Sequence, residues 1–205
     1  WTLGDSDNNY LYSTSADDSI DGYVGIDTFY ANGRSSNFNY VVLAKGTVSI
    51  TDLSGIGGVD ALSNVERIRF DDKTVALDID GHAGMTAKLL GATFGKASIA
   101  NKDLVGIGLH MLDGGMSYSD LMGAVINAVL GSTASNAAVV ELLYTNVIGS
   151  APSSNDLAFF TDWLDKGIYT KASFGVLAAD TELNIVNVGL VGLASTGLEY
   201  TPYVA

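Results

Sequence analysis

The chain has 205 residues, of which 47% are hydrophobic and 16% charged, so it is long and apolar enough to fold around a sizeable core. Its net charge of −13 argues against nucleic acid as a partner, and the absence of cysteine excludes disulfides and thiolate metal sites. The acidic side chains favour hard cations, calcium above all. The longest uncharged apolar run, Leu183–Leu198, is shorter than the roughly 20 residues that span a bilayer, so we expect no transmembrane segment.

The first 80 residues have the pattern of β structure. Short runs alternate apolar and polar residues with a period of two or nearly so, as half-buried strands do. The runs are FNYVVL (38–43), GTVSIT (46–51), VERIRF (65–70) and TVALDI (74–79). The sequence DDKT (71–74) between the last two runs predicts a tight turn, so we expect β-hairpins in this part of the chain.

From Gly84 onward the apolar period becomes helical. Val139, Val140, Leu143 and Val147 form one apolar stripe with helical spacing. Residues that favour helix N-caps precede four helical stretches, and glycines fall where such stretches should end. The caps are Ser117, Ser135 or Asn136, Ser153 or Ser154, and Thr170, and the glycines are Gly95, Gly114, Gly115, Gly131, Gly149 and Gly167. We expect six or seven short helices, including a buried helix over Leu183–Leu198.

These patterns predict an α+β protein with a β-rich module at 1–80 and an all-helical domain at 81–205. The helical domain contains two loosely repeated halves, each reading helix, glycine, polar loop, helix. The aligned segments are LLGATFGKASIANKDL (89–104) with LLYTNVIGSAPSSNDL (142–157), and HMLDGG (110–115) with DWLDKG (162–167).

Three contiguous nonapeptides can be aligned at the amino terminus: GDSDNNYLY (4–12), STSADDSID (13–21) and GYVGIDTFY (22–30). Their sixth residues are acidic or amide side chains, and their eighth residues are apolar. The sixth residues are Asn9, Asp18 and Asp27, and the eighth residues are Leu11, Ile20 and Phe29. The pattern resembles the nonapeptide repeat of RTX (repeats-in-toxin) secreted proteins, which folds as a parallel β-roll around calcium.

This resemblance implies a coil made of two nonapeptides, with Asn9 and Asp27 on one edge and Asp18 on the other. It makes Asp27, Asn9, Asp18 and Asp7 the candidate ligands of a calcium ion. The repeat is degenerate, because only 22–30 keeps the first and fourth glycines. Two interpretations stay open: a weak calcium site, or a vestigial terminal coil that caps a longer roll and binds no metal.

The rest of the β-rich module resembles the segment that follows RTX repeats in many secreted bacterial proteins. The resemblance rests on a motif of the form D-x-L-x-N-V-E-R-[IL]-x-F-x-D. In this chain the motif comprises Asp60, Leu62, Asn64, Val65, Glu66, Arg67, Ile68, Phe70 and Asp72.

The second half resembles a helical family catalogued as domain of unknown function 4214. The matching segment is ELLYTNVIGSAPSSNDLAFF (141–160), followed by LDKG (164–167) and ADTELNIVNV (179–188). The chain departs from the usual pattern at four positions, which puts a function of that loop in doubt but not the helical fold. The departures are Ser150, Ser153, Asp156 and Phe160, where Arg, Asp, Gly and Trp are usual.

Together these resemblances imply a protein found outside, or on the surface of, a Gram-negative bacterium. They imply export by a type I secretion system that reads an uncleaved carboxy-terminal signal, and the end LEYTPYVA (198–205) fits such a signal. We expect a non-catalytic structural, assembly or adhesion protein that associates with itself or with a cell-surface or matrix partner. One alternative is the secretion and folding region of a larger enzyme or toxin.

No catalytic motif stands out in the sequence. It contains no H-E-x-x-H, no G-x-S-x-G and no phosphate-binding G-x-x-x-x-G-K-[ST]. The only two histidines, His82 and His110, lie in different segments. They leave a second alternative, a secreted protein that binds haem or another small ligand. We therefore predict that the protein is not an enzyme.

Overall fold

The computed structural model describes residues 1–43 and 46–204. These residues form two five-stranded sheets and eight α-helices, which confirms the predicted α+β class. The chain divides into two compact units. We call residues 1–83 and 192–202 the β unit, and residues 84–191 with Tyr203 and Val204 the helical unit. The chain therefore leaves the β unit after residue 83 and returns to it at residue 192.

The strands are short, and four of them overlap the four runs that the alternating pattern predicts. In the described residues they are β1 (Thr2–Leu3), β2 (Tyr10–Tyr12), β3 (Ser19–Asp21), β4 (Thr28–Tyr30), β5 (Phe38–Val42), β6 (Val48–Asp52), β7 (Val59–Ser63), β8 (Arg67–Arg69), β9 (Thr74–Ala76) and β10 (Leu198–Tyr200).

The strands β1 to β4 alternate between the two sheets. Sheet A has the order β1-β3-β7-β6-β5, and sheet B has the order β10-β9-β8-β4-β2. Thr2 pairs in parallel with Ile20, and Tyr10 pairs in parallel with Thr28, so each pair joins residues 18 positions apart. Strands β7 and β8 extend the two parallel ladders by one more step. The pairs β5–β6, β6–β7, β8–β9 and β9–β10 are antiparallel.

The core of the β unit lies between the inward faces of the two sheets. Ile20 and Leu62 are opposed in sheet A, while Phe29 and Ile68 are opposed in sheet B, and all four are buried. Burying a side chain of this size contributes about 1.5–3 kcal/mol. The cluster comprises Leu11, Ile20, Phe29, Ala31, Val48, Ile50, Leu62, Val65, Ile68, Phe70 and Val75.

A buried ion pair links sheet B to the start of the first helix. The Arg67 guanidinium is buried and donates hydrogen bonds to the Asp78 carboxylate and to the Glu66 carbonyl. The second Asp78 oxygen accepts a hydrogen bond from the His82 N–H at 2.8 Å. Asp78 therefore neutralises the buried arginine and satisfies an amide in the first turn of a helix with one side chain.

Four of the helices in the described chain begin directly after a predicted N-cap residue. The helices are α1 (His82–Phe94), α2 (Lys102–Asp113), α3 (Tyr118–Leu130), α4 (Asn136–Ile148), α5 (Ser154–Asp165), α6 (Lys171–Ala179), α7 (Glu182–Asn187) and α8 (Leu190–Thr196). The side chains of Ser117, Ser135, Ser153 and Thr170 each accept a hydrogen bond from the backbone N–H three residues further on, so these four N-cap predictions are confirmed.

In the helical unit, α3 packs closely against α6 through small residues. A Cβ added at Gly123 would lie 3.3 Å from the Ala172 side chain, and one added at Gly175 would lie 2.6 Å from Met122 Cγ. Glycines at the crossing thus allow the two helix backbones to approach, while Leu121, Met122 and Ile126 remain buried.

The prediction of one buried helix over Leu183–Leu198 is wrong. Gly189, with φ at 64°, separates α7 from α8, and Leu198 begins a strand instead. Val186 and Val191 are exposed by 63% and 81%. The described residues therefore contain eight α-helices, because this apolar stretch yields two short ones.

Candidate functional site

Asn9 directly precedes β2 and Asp27 directly precedes β4, so the two residues are neighbours at the same end of this parallel strand pair. The Asn9 N–H donates to Asp27 Oδ1 at 2.7 Å, and the Asp27 N–H donates to Glu66 Oε2 at 2.8 Å. Each acidic side chain thus accepts from the backbone of the preceding residue in the column. We call Asn9, Asp27 and Glu66 the acidic column.

The second carboxylate oxygen of Asp27 is buried and has no hydrogen-bond partner among the described residues. The residue is 0% exposed, and this burial raises the pKa of the Asp27 carboxyl above its usual value, with smaller contributions from the charges of Asp5 and Asp21. A Cβ added at Gly22 would lie 2.6 Å from Asp27 Oδ2 and 2.1 Å from the Asn64 carbonyl oxygen. Only glycine leaves room at this place.

The equivalent oxygens of the two preceding nonapeptides do have partners. Asn9 Oδ1 accepts from the Asp5 N–H at 2.8 Å, and Asp18 Oδ2 accepts from the Thr14 N–H at 2.7 Å. In the third turn the corresponding amide belongs to Tyr23, whose N–H donates to Asp21 Oδ1 at 3.0 Å instead. Tyr23 has a positive φ of 71°, so the turn follows a different path and leaves Asp27 Oδ2 without its donor.

Asp18 and Asp7 occupy different places from this column. Asp18 lies at the opposite edge, where its N–H donates to Asp60 Oδ1 at 3.0 Å and its own Oδ1 lies 3.9 Å from the Trp1 ammonium. Asp7 is exposed in the same turn as Asn9, and its N–H donates to Asp5 Oδ1 at 2.9 Å. Of the four predicted ligands, the structure brings together only Asn9 and Asp27.

The donors present are the hard oxygens that calcium takes, but they are few. Across residues 1–43 and 46–204, no group of three or more histidine, cysteine, aspartate or glutamate side chains is arranged to hold a metal ion. The Asn9 side chain is occupied by Asp5, to which its Nδ2 donates at 3.0 Å. Asp27 Oδ2 and the Asn64 carbonyl are the oxygens left beside Gly22. Calcium takes six to eight oxygens, so any ion here would complete its shell largely with backbone oxygens and water.

Glu66 completes the acidic column and Asp60 accepts from the Asp18 N–H at the opposite edge, although the sequence argument assigned neither residue to a site. Burial raises the pKa values of both carboxyls, as it does for Asp27. Both lie in the D-x-L-x-N-V-E-R motif, but they fall outside the nonapeptide register, because β5 and β6 are inserted before them. Parallel pairing of β7 with β3 and of β8 with β4 brings them into place.

The first coil ends in two open strand edges. Strands β1 and β2 are the outermost strands of sheets A and B. The Asn9 carbonyl accepts from the Thr28 N–H, so the alternation of a parallel ladder directs the backbone groups of Tyr10 and Tyr12 away from β4. The side chains of Leu3, Tyr10 and Tyr12 are 57%, 67% and 57% exposed. We call β1 and β2 with these side chains the open coil end.

An aromatic row runs from the open coil end across sheet B. The Tyr12 ring stacks on the Tyr30 ring with centroids 5.2 Å apart, and the Tyr10 ring meets Tyr30 edge-on at 5.6 Å. The Arg69 guanidinium lies 5.2 Å from the Tyr30 centroid on the other side. The row ends at the exposed side chains of Tyr10 and Tyr12 on β2. An additional strand paired with β2 could extend this row of cross-strand pairs.

The two histidines lie in different units. His82 opens α1 in the β unit, and the His110 ring lies 4.9 Å from the Tyr203 ring in the helical unit.

No model of a known protein family matches the chain. No curated protein matches it either. In the part of the chain that the structure describes, none of the helices combines the length and the apolar character that crossing a membrane requires.

Proposed function

We propose that the protein is a non-catalytic structural protein, located outside or on the surface of a Gram-negative bacterium, that assembles through its open coil end. The observation that carries the proposal is the pair of unpaired strand edges at β1 and β2, bordered by Leu3, Tyr10 and Tyr12. Unpaired edges with exposed apolar side chains are templates for pairing with another chain, and natural proteins usually protect them. The partner is a second copy of the chain.

The extracellular location rests on the resemblance to RTX proteins. Strands that alternate between two sheets, with an offset of 18 residues, support the interpretation of 1–30 as a vestigial β-roll coil. The acidic column at the sixth nonapeptide position supports it as well. Type I secretion remains part of the proposal. Its proposed signal includes Ala205, which lies outside the described residues, while Leu198–Tyr200 forms β10 in the folded protein.

The proposal of a calcium ion rests on one atom, Asp27 Oδ2. Asp27 Oδ2 is a buried carboxylate oxygen without a hydrogen bond from the described residues, and a cation would compensate its charge. Asp27 would be the principal ligand, because the Asn9 side chain is held by Asp5. The ion would act as a structural support for the turns of the coil.

A second function is also compatible with the vestigial coil. Strands that alternate between two sheets with an offset of 18 residues are the arrangement that the resemblance to RTX proteins implies. The module would then be the secretion and folding region of a larger secreted protein. The sequence of the whole gene tests this, and an upstream catalytic domain would support it.

Lysine substitutions at the open coil end test the assembly proposal. Tyr10→Lys and Tyr12→Lys place charges on the edge without touching the core, and Ile168→Lys serves as the control because Ile168 is 60% exposed in the helical unit. We expect wild type and Ile168→Lys to form oligomers in analytical ultracentrifugation and electron microscopy, and both tyrosine variants to shift towards monomer. A wild-type monomer at every concentration would contradict the proposal.

Calorimetry separates the calcium component from assembly. If calcium binds, titration into wild type should release or absorb heat that is absent with Asp27→Asn, and the chelated protein should show a weaker β signal in circular dichroism. Asp7→Asn is the matched control, since Asp7 lies exposed in the neighbouring turn. Absence of heat with wild type would remove calcium from the proposal and leave assembly untouched.

A further inference from the structure

The carboxy-terminal strand β10 occupies a groove along β9 at the edge of sheet B. Leu198 pairs with Ala76 and Tyr200 pairs with Thr74 in antiparallel register. The Lys73 Nζ lies 2.9 Å from Glu199 Oε1. We call this edge of β9 the β9 groove. The β9 groove thus holds an antiparallel strand that places an acidic side chain beside Lys73.

The groove also selects the residues just before β10. The Tyr40 hydroxyl donates to the Thr196 carbonyl at 2.6 Å. A Cβ added at Gly197 would lie 2.3 Å from Val75 Cγ1, so only glycine allows the strand to approach this closely. Leu198 is 2% exposed and fills the apolar part of the groove. The segment Gly197–Tyr200 is therefore recognised by its shape, its charge and its backbone.

The tether that carries β10 is weakly held. None of the seven residues of α8 is buried in the part of the chain that the structure describes. Gly189 and Gly197, with φ of 64° and 71°, stand at either end of this helix. Glycines at these backbone angles can act as hinges, and a helix without a buried face has little packing to hold it in one place.

We propose that the β9 groove also binds the Gly197–Tyr200 segment of a second copy of the chain, so that two copies exchange their carboxy-terminal strands. The exchanged strand makes the same contacts with Lys73, Tyr40 and Val75 as the protein's own strand. The main free-energy cost of strand exchange is then the cost of bringing two chains together. A high local protein concentration therefore favours it. This surface is distinct from the open coil end, so the two proposals stand or fall separately.

Cysteine pairs provide a direct test, because the chain contains no native cysteine. Thr74 and Tyr200 are opposed across β9 and β10, where Cβ atoms come close enough for a disulfide after small adjustments. Thr74→Cys and Tyr200→Cys are made as separate chains, mixed in equal amounts and oxidised. A bond between positions 74 and 200 can then form only when a strand from one copy enters the groove of the other.

The expected product is a disulfide-linked heterodimer whose 74–200 link is identified by peptide mapping. Its fraction should rise about twofold for each doubling of concentration while dimers are the minority. Ser36→Cys mixed with Tyr200→Cys measures random cross-linking, because Ser36 is exposed and lies outside the β9–β10 pairing register. A 74–200 yield no higher than this control would overturn the proposal. Loss of heterodimers after Tyr10→Lys would instead trace association to the open coil end.

A charge exchange gives an independent readout. Lys73→Glu and Glu199→Lys each place like charges together in a closed monomer, whereas a mixture of the two variants restores both ion pairs only by exchange. We expect the mixture to form more dimer in analytical ultracentrifugation than either variant alone. The double variant in one chain should behave as wild type. Equal dimer fractions in the mixture and the single variants would count against strand exchange.

Discussion

Replacing Asp27 with asparagine should stabilise the β unit at neutral pH in the presence of a chelator. The amide retains an oxygen that accepts from the Asn9 N–H, now 2.7 Å from Asp27 Oδ1. It replaces the unpartnered Oδ2 by an N–H₂ group beside the Asn64 carbonyl, which borders the same space next to Gly22. The substitution thus removes a buried negative charge without changing the size of the side chain.

The magnitude follows from the cost of leaving a buried polar atom unsatisfied. That cost is about 1–3 kcal/mol, and more for a charged group. We expect Asp27→Asn to raise the free energy of unfolding by about 1–2 kcal/mol at pH 7, which shifts the melting temperature upward by about 2–8 °C for a chain of this size. Thermal and urea unfolding followed by circular dichroism measure this directly.

The dependence on pH supplies a second signature. The pKa of Asp27 is raised in the folded state, so between the unfolded value near 3.8 and the folded value the folded protein binds more protons. The stability of wild type should therefore fall as the pH rises through that window. In Asp27→Asn this fall should be smaller, and what remains should come from Asp60 and Glu66, whose pKa values burial also raises.

Asp60→Asn is the matched control. Asp60 is buried as well, but its carboxylate accepts hydrogen bonds from the Asp18 N–H and from the Ser13 side chain. Exchange to asparagine there relieves no unpartnered oxygen and should bring no comparable gain. If Asp27→Asn destabilised the chelated protein at pH 7 as much as Asp60→Asn, the reasoning about Oδ2 would be refuted.

Three further substitutions test an ion pair of the β unit, and a helix crossing and an N-cap of the helical unit. Asp78→Ala removes the carboxylate facing buried Arg67 and should cost about 3–5 kcal/mol in urea unfolding; a loss below 1 kcal/mol would show that the pair contributes little. Gly175→Ala places a carbon 2.6 Å from a side chain of α3 and should cost about 1–3 kcal/mol, whereas Gly192→Ala meets nothing within 4 Å and should be neutral or stabilising, so similar melting temperatures would contradict the close helix crossing. Ser153→Ala removes the N-cap of α5 and should cost about 1 kcal/mol in thermal unfolding, and an unchanged melting temperature would mean that the cap is dispensable.

Much of the local structure could be predicted from the sequence because it depends on neighbouring residues. Ser117, Ser135, Ser153 and Thr170 mark helix starts, since a hydroxyl can satisfy an amide only within its own first turn. The nonapeptide register likewise placed Asn9 and Asp27 at one edge and Asp18 at the other, and their hydrogen bonds follow that division.

Failures of prediction arise where distant parts of the chain meet. In the apolar stretch 183–198, Val186 and Val191 are exposed while Leu198 is buried, because apolar composition does not say which partner covers a side chain. The pairing of Leu198 with Ala76 joins residues far apart in sequence, and no local pattern indicates that the last strand completes sheet B. Glu66 reaches Asp27, and Asp60 reaches Asp18, only through parallel pairing after two inserted strands.

The sequence by itself determined the α+β class and four of the helix starts, because periodicity and capping are properties of adjacent residues. Only the tertiary structure decided that Asp27 keeps a buried oxygen without a donor, that the first coil ends in open strand edges, and that the carboxy-terminal strand lies in the β9 groove. Each of these depends on which strands are neighbours in space, and that is set by packing over the whole β unit.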